Sequence, residues 1–313
     1  MTSNNVELRK AGLTRTTPLP PFTSLTDAIA PSGTGPLPLI EQDEDLVPLL
    51  RLASNEELAP LVEYIVKKGG VTAQLPRTQA YRQHSPNRNH KMYVDDISAE
   101  IQKFGANTFW SHLIRKGRGK KYRSILKKVA KRCGGKANCW DETAEIEERV
   151  LVAVLGKAYE KMTEVERLEL LATLQIHELP GARGPLAAGA LQAAIQAAGF
   201  APYKLAVVVA NGTANALLGH GLAYAANAGL VKGIAVFAGP IGWALDAIWG
   251  GTIIAGPAYR VTIPCVIQVA SIRQSVLQKQ RERRQRILRI LGLVALVALS
   301  CLLVVLAIRH GMR

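Results

Sequence analysis

The stretch Lys120-Lys121-Tyr122-Arg123-Ser124-Ile125-Leu126-Lys127-Lys128-Val129-Ala130-Lys131-Arg132 decides the fold class. Tyr122, Ile125, Leu126, Val129 and Ala130 recur at i, i+3, i+4, i+7 and i+8, the spacing that gathers apolar side chains on one face of an α-helix. Lys120, Lys121, Arg123, Lys127, Lys128, Lys131 and Arg132 fall on the opposite face. Such a helix can put its apolar stripe into a core and leave its cations in water. It can also lie on an anionic leaflet, where each Lys or Arg near the surface contributes about 1 kcal/mol.

Outward from this element the same period recurs. Ser54-Asn-Glu-Glu57 has the form of a capping box, and Leu58, Leu61, Val62, Ile65 and Val66 follow at helical spacing until Gly69-Gly70. Gln74 to Lys91 is polar, carries two prolines and reads as a loop. Ile97, Ile101 and Phe104 predict a short helix ending at Gly105. In Glu145 to Leu174, Ile146, Val150, Val154 and Ala158 form one stripe. A second capping box, Thr163-Glu-Val-Glu166, restarts the pattern through Leu168, Leu171 and Leu174. No alternating strand pattern appears before residue 180, so the expected class is all-α, a helical bundle. Residues 1–40, rich in Pro, Ser, Thr and Gly, read as a disordered lead-in, and 41–180 as the amphipathic helical region.

Residues 181–278 form a Gly/Ala-rich hydrophobic helical region of a different kind. Pro185 to Ala258 holds three charges, Lys204, Lys232 and Asp246, against twelve glycines and twenty-two alanines. Small residues such as Gly229 and Gly233 permit close helix approach. The uncharged run Leu205 to Val231 is long enough for a bilayer, yet Asn211, Asn215, His220 and Asn227 interrupt it. Two readings stay open here: tightly packed core helices, or a segment that inserts into membrane.

Residues 279–313 read as a basic flank and a transmembrane tail anchor. Ile290 to Ile308 is nineteen residues without a charge, roughly 28 Å as a helix, close to the hydrocarbon thickness of a bilayer. Lys279, Arg281, Arg283, Arg284 and Arg286 precede it and outnumber the cations behind it, which predicts a single pass with the N-terminal bulk in the cytoplasm. The first thirty residues show no apolar h-region of a signal peptide.

A net charge of +15 points to an acidic partner, and with only 5% aromatic residues a stacking surface for single-stranded nucleic acid is not expected. An anionic lipid bilayer and a protein partner are the expected partners; nucleic acid is disfavoured. No stretch has the spacing of a phosphate-binding loop, and no Gly-x-Ser-x-Gly occurs. The six histidines are scattered, and Cys133, Cys139, Cys265 and Cys301 form no paired framework. His220 reads as a satisfied core or interface histidine. Asp246, among apolar neighbours, calls for a partner if buried, with Arg260 as the candidate. No catalytic, cofactor-binding or metal-binding set is expected, and the chain reads as a non-enzyme.

Several strings together resemble the YaaW-like family of uncharacterised bacterial proteins. They are Ile101-Gln-Lys-Phe104-Gly105, Arg118-Gly-Lys-Lys-Tyr122-Arg123-Ser-Ile125-Leu126, Ile146-Glu147, Leu218-Gly-His220-Gly-Leu222 and Gly239-Pro240-Ile-Gly242. The most specific is Ala258-Tyr259-Arg260-Val261-Thr262-Ile263-Pro264, followed by Val266-Ile267-Gln268, so Tyr259, Arg260, Thr262 and Pro264 stand as family-motif residues. The resemblance covers roughly residues 45 to 275 and leaves out the lead-in and the tail. It implies a remote grouping with ubiquinol–cytochrome c chaperones, and through it a binding or assembly role without transferable catalytic residues. The expectation is a non-enzymatic, chaperone-like protein tethered at the cytoplasmic face of a bacterial inner membrane. The alternative is a membrane-inserting or pore-forming protein acting through 185–258.

Overall fold

The computed structural model describes residues 43–106, 119–135, 137, 138, 140–176, 190, 191, 193–195, 202–228, 234–250 and 258–311, with side chains as far as Ser300 apart from Val71 and Ala298. All regular structure among the described residues is helical. The lead-in 1–40 lies outside them.

Helix α1, Val47–Leu52, starts with a proline in its first turn and packs Leu49 and Leu50 inward. Helix α2, Asn55–Glu63, begins with both arms of the capping box formed: the Glu57 amide donates to Ser54 Oγ (3.2 Å) and the Ser54 amide to Glu57 Oε2 (2.8 Å). It widens into a π-turn, Tyr64–Lys68, before Gly70 turns the chain with φ +53°.

The expected loop at 74–91 is instead partly helical, and the reason is local. Thr78 accepts the Tyr81 amide and caps α3, Gln79–His84, which lies between 3₁₀ turns at Leu75–Arg77 and His90–Tyr93. Helix α3 fully buries none of its residues, so no apolar period marked it. Helix α4, Val94–Ala106, buries Ile97, Ile101 and Phe104 as expected.

Helix α5, Tyr122–Cys133, buries all five residues of its apolar stripe and ends at Gly134 (φ +92°). Helix α6, Thr143–Lys161, places Ile146, Val150, Val154 and Ala158 at 0% exposure. The Thr163–Glu166 capping box opens α7, Glu164–Leu174. Here the expected stripe is shifted: Leu168 is 68% exposed, and Leu170 is buried with Leu174. Leu171 packs half-buried beside them, so the inward face runs through Leu170, Leu171 and Leu174 and leaves Leu168, about 160° round the axis from Leu170, on the outer side.

Helix α8, Pro202–Leu218, has ten consecutive buried residues, Leu205 through Ala214. It packs against α9, Ala238–Gly250, and α10, Ala258–Gly311, while α9 also meets α6 and α10 meets α4 and α6. One apolar core runs from Leu46 to Val276. The part of the Gly/Ala-rich segment in α8 is thus the interior of a bundle. Asn211, buried in it, accepts the Leu222 amide at 2.7 Å, and the Asn215 amide group donates to the Asn211 carbonyl at 3.1 Å. The close approach of helices falls at Gly212, where a Cβ would run into Ile241, and at Gly242 facing Ala216. Gly229 and Gly233 lie outside the described residues.

Helix α10 continues past the bundle. From Lys279 on, every described side chain is exposed. Among the described residues, no helix is long and apolar enough to cross a membrane. The expected span Ile290–Ile308 is helical backbone throughout, and its side chains beyond Ser300 lie outside those described.

Candidate functional site

The polar chemistry of the bundle gathers on α10 between Gln268 and Lys279, with Gln268, Ser271, Ser275 and Lys279 on one face and Arg273 on another, about 120° round the axis. Glu57, Glu147, Tyr224 and the Asp45 carbonyl, far apart in sequence, meet it there.

Glu147 of α6 is 1% exposed. Arg273 donates to it from Nε (2.7 Å, to Oε2) and from Nη2 (3.2 Å, to Oε1), and Tyr122 donates its hydroxyl at 2.8 Å. Arg273 Nη2 also reaches the Asp45 carbonyl at 3.1 Å. Burial pushes the Glu147 carboxyl above its ordinary value, with Arg273 and Tyr122 opposing; burial likewise holds the Tyr122 hydroxyl far above the usual phenol range. Asp43 completes this end. Its Oδ2 accepts the Tyr122 amide (2.7 Å) and the Gln102 amide group (2.9 Å), and so caps α5, whose preceding residue Lys121 supplies no side-chain cap.

Glu57 of α2, 2% exposed, forms the second junction. Lys279 donates to its Oε1 at 2.8 Å, Ser275 donates its hydroxyl to the same oxygen, and the Ser54 amide takes the other. Burial raises its carboxyl, yet the bonds from Lys279, Ser275 and Ser54 outweigh that and hold it below the ordinary carboxylate value. Nearer the start of α10 than either junction, Gln268 donates to the Glu57 carbonyl (2.8 Å) and to the Tyr224 hydroxyl (2.9 Å), which pairs with Ser271 at 3.0 Å.

These carboxylates are saturated by structural partners. Neither has a nucleophile beside it and an open face for a substrate. Among the described residues no group of His, Cys, Asp and Glu is placed to hold a metal. The Cys133 thiol is buried and pushed up to about 12, and Cys265 is fully buried and raised by that burial, so neither is an activated nucleophile. Cys139 and the Cys301 side chain lie outside the described residues.

The basic face of α5 is not an open plane of cations. Only Lys121 and Lys131 are exposed, while Lys120, Arg123, Lys127, Lys128 and Arg132 are half-buried. Arg123 donates to the Asp141 carbonyl and Arg132 to the Trp249 carbonyl at 3.3 Å. Lys128 lines a shallow recess with Phe104, Ile125, Tyr259 and Thr262. In the family string, Tyr259 is half-buried, Arg260 is exposed, and Thr262 and Pro264 are buried. Thr262 donates its hydroxyl to the Ala258 carbonyl at 3.0 Å, two residues before Pro264 interrupts the amide ladder. The suggested Asp246–Arg260 ion pair does not form, because Asp246 points to solvent and needs no partner. His220, two residues past α8, is at the surface rather than in the core and meets Glu63 Oε2 from another element at 3.0 Å.

Sequence reading missed that Glu147, through Arg273, and Glu57, through Ser275 and Lys279, both fasten α10. A signal existed for Glu147: it lies on the stripe of Leu151, Val154 and Ala158, at i+4, i+7 and i+11, so a helix that buries that stripe buries the carboxylate too. Nothing local pointed from it to Arg273, which is 126 positions away.

The described elements form an all-helical bundle built on one over-long helix. A UPF0174 protein of Helicobacter pylori strain J99 is 32% identical to this chain over 244 residues, 77% of this chain and 95% of that protein. The UPF0174 protein YaaW of Escherichia coli K12 is 30% identical over 245 residues, 76% of this chain and 97% of YaaW. The chain belongs to the UPF0174 family, which bears out the YaaW-like resemblance. The relatives are covered almost end to end, whereas part of this chain lies outside each alignment. No family model and no solved structure matches the chain.

Proposed function

We propose that this protein is a non-enzymatic binding or assembly factor, tethered by the C-terminal half of α10 to the cytoplasmic face of a bacterial inner membrane. The observation that carries the reading is the exposure of Ile287, Leu288, Ile290, Leu291, Leu293, Val294, Leu296, Val297 and Leu299, each between 49% and 66% accessible. At 3.6 residues per turn these positions surround the helix, with no angular gap wider than about 60°. A helix that packs on one partner needs one apolar stripe; a helix apolar all round belongs inside a large core or a bilayer. The uncharged sequence continues to Ile308, for roughly 28 Å in all. The cations before Ile290 support the cytoplasmic orientation.

The assembly part of the proposal rests on the family resemblance and on carboxylates engaged in structure rather than chemistry. Lys121 and Lys131, the exposed members of the α5 face, would meet the leaflet only if that face turns towards it. Insertion of 185–258 would first require drawing α8 and its ten buried residues out of the core.

Alkaline carbonate washing of membranes tests the tether. The full chain is expected in the pellet and the chain lacking Ile287–Arg313 in the supernatant. Extraction of the full chain, or retention of the deletion as an integral protein, overturns the reading.

A further inference from the structure

We propose that Arg281, Arg283, Arg284, Arg286 and Arg289 form a collar that binds the phosphates of anionic phospholipid headgroups and gathers such lipids around the tail. The proposal rests on the tether reading above and deepens it. All five side chains are exposed, and among the described residues no carboxylate pairs with them. The acidic residue in their midst, Glu282, is instead engaged by the Gln278 side-chain amide at 2.9 Å.

Their placement around the axis identifies the ligand. At 3.6 residues per turn, and counting from Arg281, the five fall at about 0°, 200°, 300°, 140° and 80°, so no gap exceeds about 100°. A duplex nucleic acid, or an acidic face on another protein, approaches a helix from one side and would meet two or three of them. A headgroup layer surrounds a helix that passes through it and meets all five. Axially the collar is about 12 Å long and ends one residue before the apolar run. Headgroups occupy roughly 5–8 Å on each side of the hydrocarbon. With Ile290 at that boundary, Arg286 and Arg289 sit among the phosphates, and the other three project towards them along flexible stems. The bundle releases the helix at the Lys279–Glu57 junction, roughly 16 Å before Ile290, so the collar occupies the gap between body and bilayer.

The guanidinium suits this role because it stays charged and offers a fork of donors matched to phosphate oxygens. The effect is selection among lipids, and not merely attachment.

The test uses the full chain reconstituted in phosphatidylcholine vesicles carrying trace spin-labelled phosphatidylglycerol or spin-labelled phosphatidylcholine. Flotation is scored first, then the fraction of each label immobilised on the protein. The chain should float in both cases and enrich phosphatidylglycerol at least about fivefold over phosphatidylcholine, with the preference reduced by salt. The variant with all five arginines changed to Gln should float equally and lose most of the preference, while the five-Lys variant, which keeps the charge without the fork, should fall between the two. A chain that floats but immobilises both labels equally, or a five-Gln variant that keeps the preference, overturns the collar alone. Failure to float overturns the tether and the collar together. Duplex DNA binding that the five-Gln change abolishes, without any lipid preference in the parent, reassigns the arginines to nucleic acid and also overturns the proposal.

Discussion

Arg273 Nε lies 2.7 Å from Glu147 Oε2, joining the last helix to the middle of the chain inside the bundle. Glu147 is 1% exposed and the Arg273 side chain 17%, so water replaces neither partner easily. Removing the arginine alone leaves a buried carboxylate with Tyr122 as its remaining side-chain donor. Arg273→Met should therefore cost about 3–5 kcal/mol, read as a drop in the urea midpoint of the full chain in nonionic detergent. Adding Glu147→Gln should recover a large part of that loss. Additive costs in the double variant would show that the two side chains are not coupled.

Glu57 predicts a pH dependence. Its folded carboxyl lies below the ordinary 4.5, despite burial, because Lys279, Ser275 and Ser54 favour the ionised form. The resulting stability is complete above pH 4.5 and falls away as pH drops through the folded value. Glu147 runs the other way, since burial raises its carboxyl and protonation favours the folded form. Glu57→Gln should lower stability at pH 7 by about 1–3 kcal/mol and flatten the acid side of a melting-temperature profile between pH 6 and 3. An acid limb of unchanged slope would show that Glu57 does not carry it.

The α8–α9 approach is tested at Gly212. Its missing Cβ makes room for the Ile241 side chain, and Gly212→Ala should destabilise by about 1–3 kcal/mol. Ile241→Val deletes the Cδ1 atom that a new methyl would meet. The pair Gly212→Ala with Ile241→Val should thus be more stable than Gly212→Ala alone, and the reverse order in thermal melting would refute the contact.

Helix α7 offers a contrast within one turn. Leu170 is fully buried and Leu168 is 68% exposed. Leu170→Ala should cost about 2–5 kcal/mol, whereas Leu168→Ser should stay within about 0.5 kcal/mol. Equal denaturation midpoints for the two variants would contradict this rotation of α7.

Helices α2, α4, α5 and α6 were legible because their large apolar residues recur at helical spacing on the face turned to the core, although α4 and α6 also bury much of their other sides. Helix α3 was not, because it buries too little to leave a period. In α8 the period disappears for the opposite reason: neighbours surround it on nearly all sides, and a wholly buried helix has the composition of a membrane span. From Ile290 to Leu299 the described apolar side chains are exposed, unlike those at the centre of α8.

Of the site, the capping arm of Glu57 was local and visible at Ser54-Asn-Glu-Glu57. Its other bonds come from Ser275 and Lys279, which lie 218 and 222 positions away, beyond any sequence period. The basic face of α5 was correctly phased, but the neighbours that take up Arg123 and Arg132 come from Asp141 and Trp249.

The sequence by itself determined the strongly periodic helices, their two capping boxes and the apolar run, because periodicity and capping act within a few residues. Only the tertiary structure decided that α8 is core, that Asp246 needs no partner, and that Glu57 and Glu147 both fasten α10. Those outcomes depend on which surfaces meet across hundreds of residues. Burial, rather than residue type, then determines whether a charge is costly, paired or free.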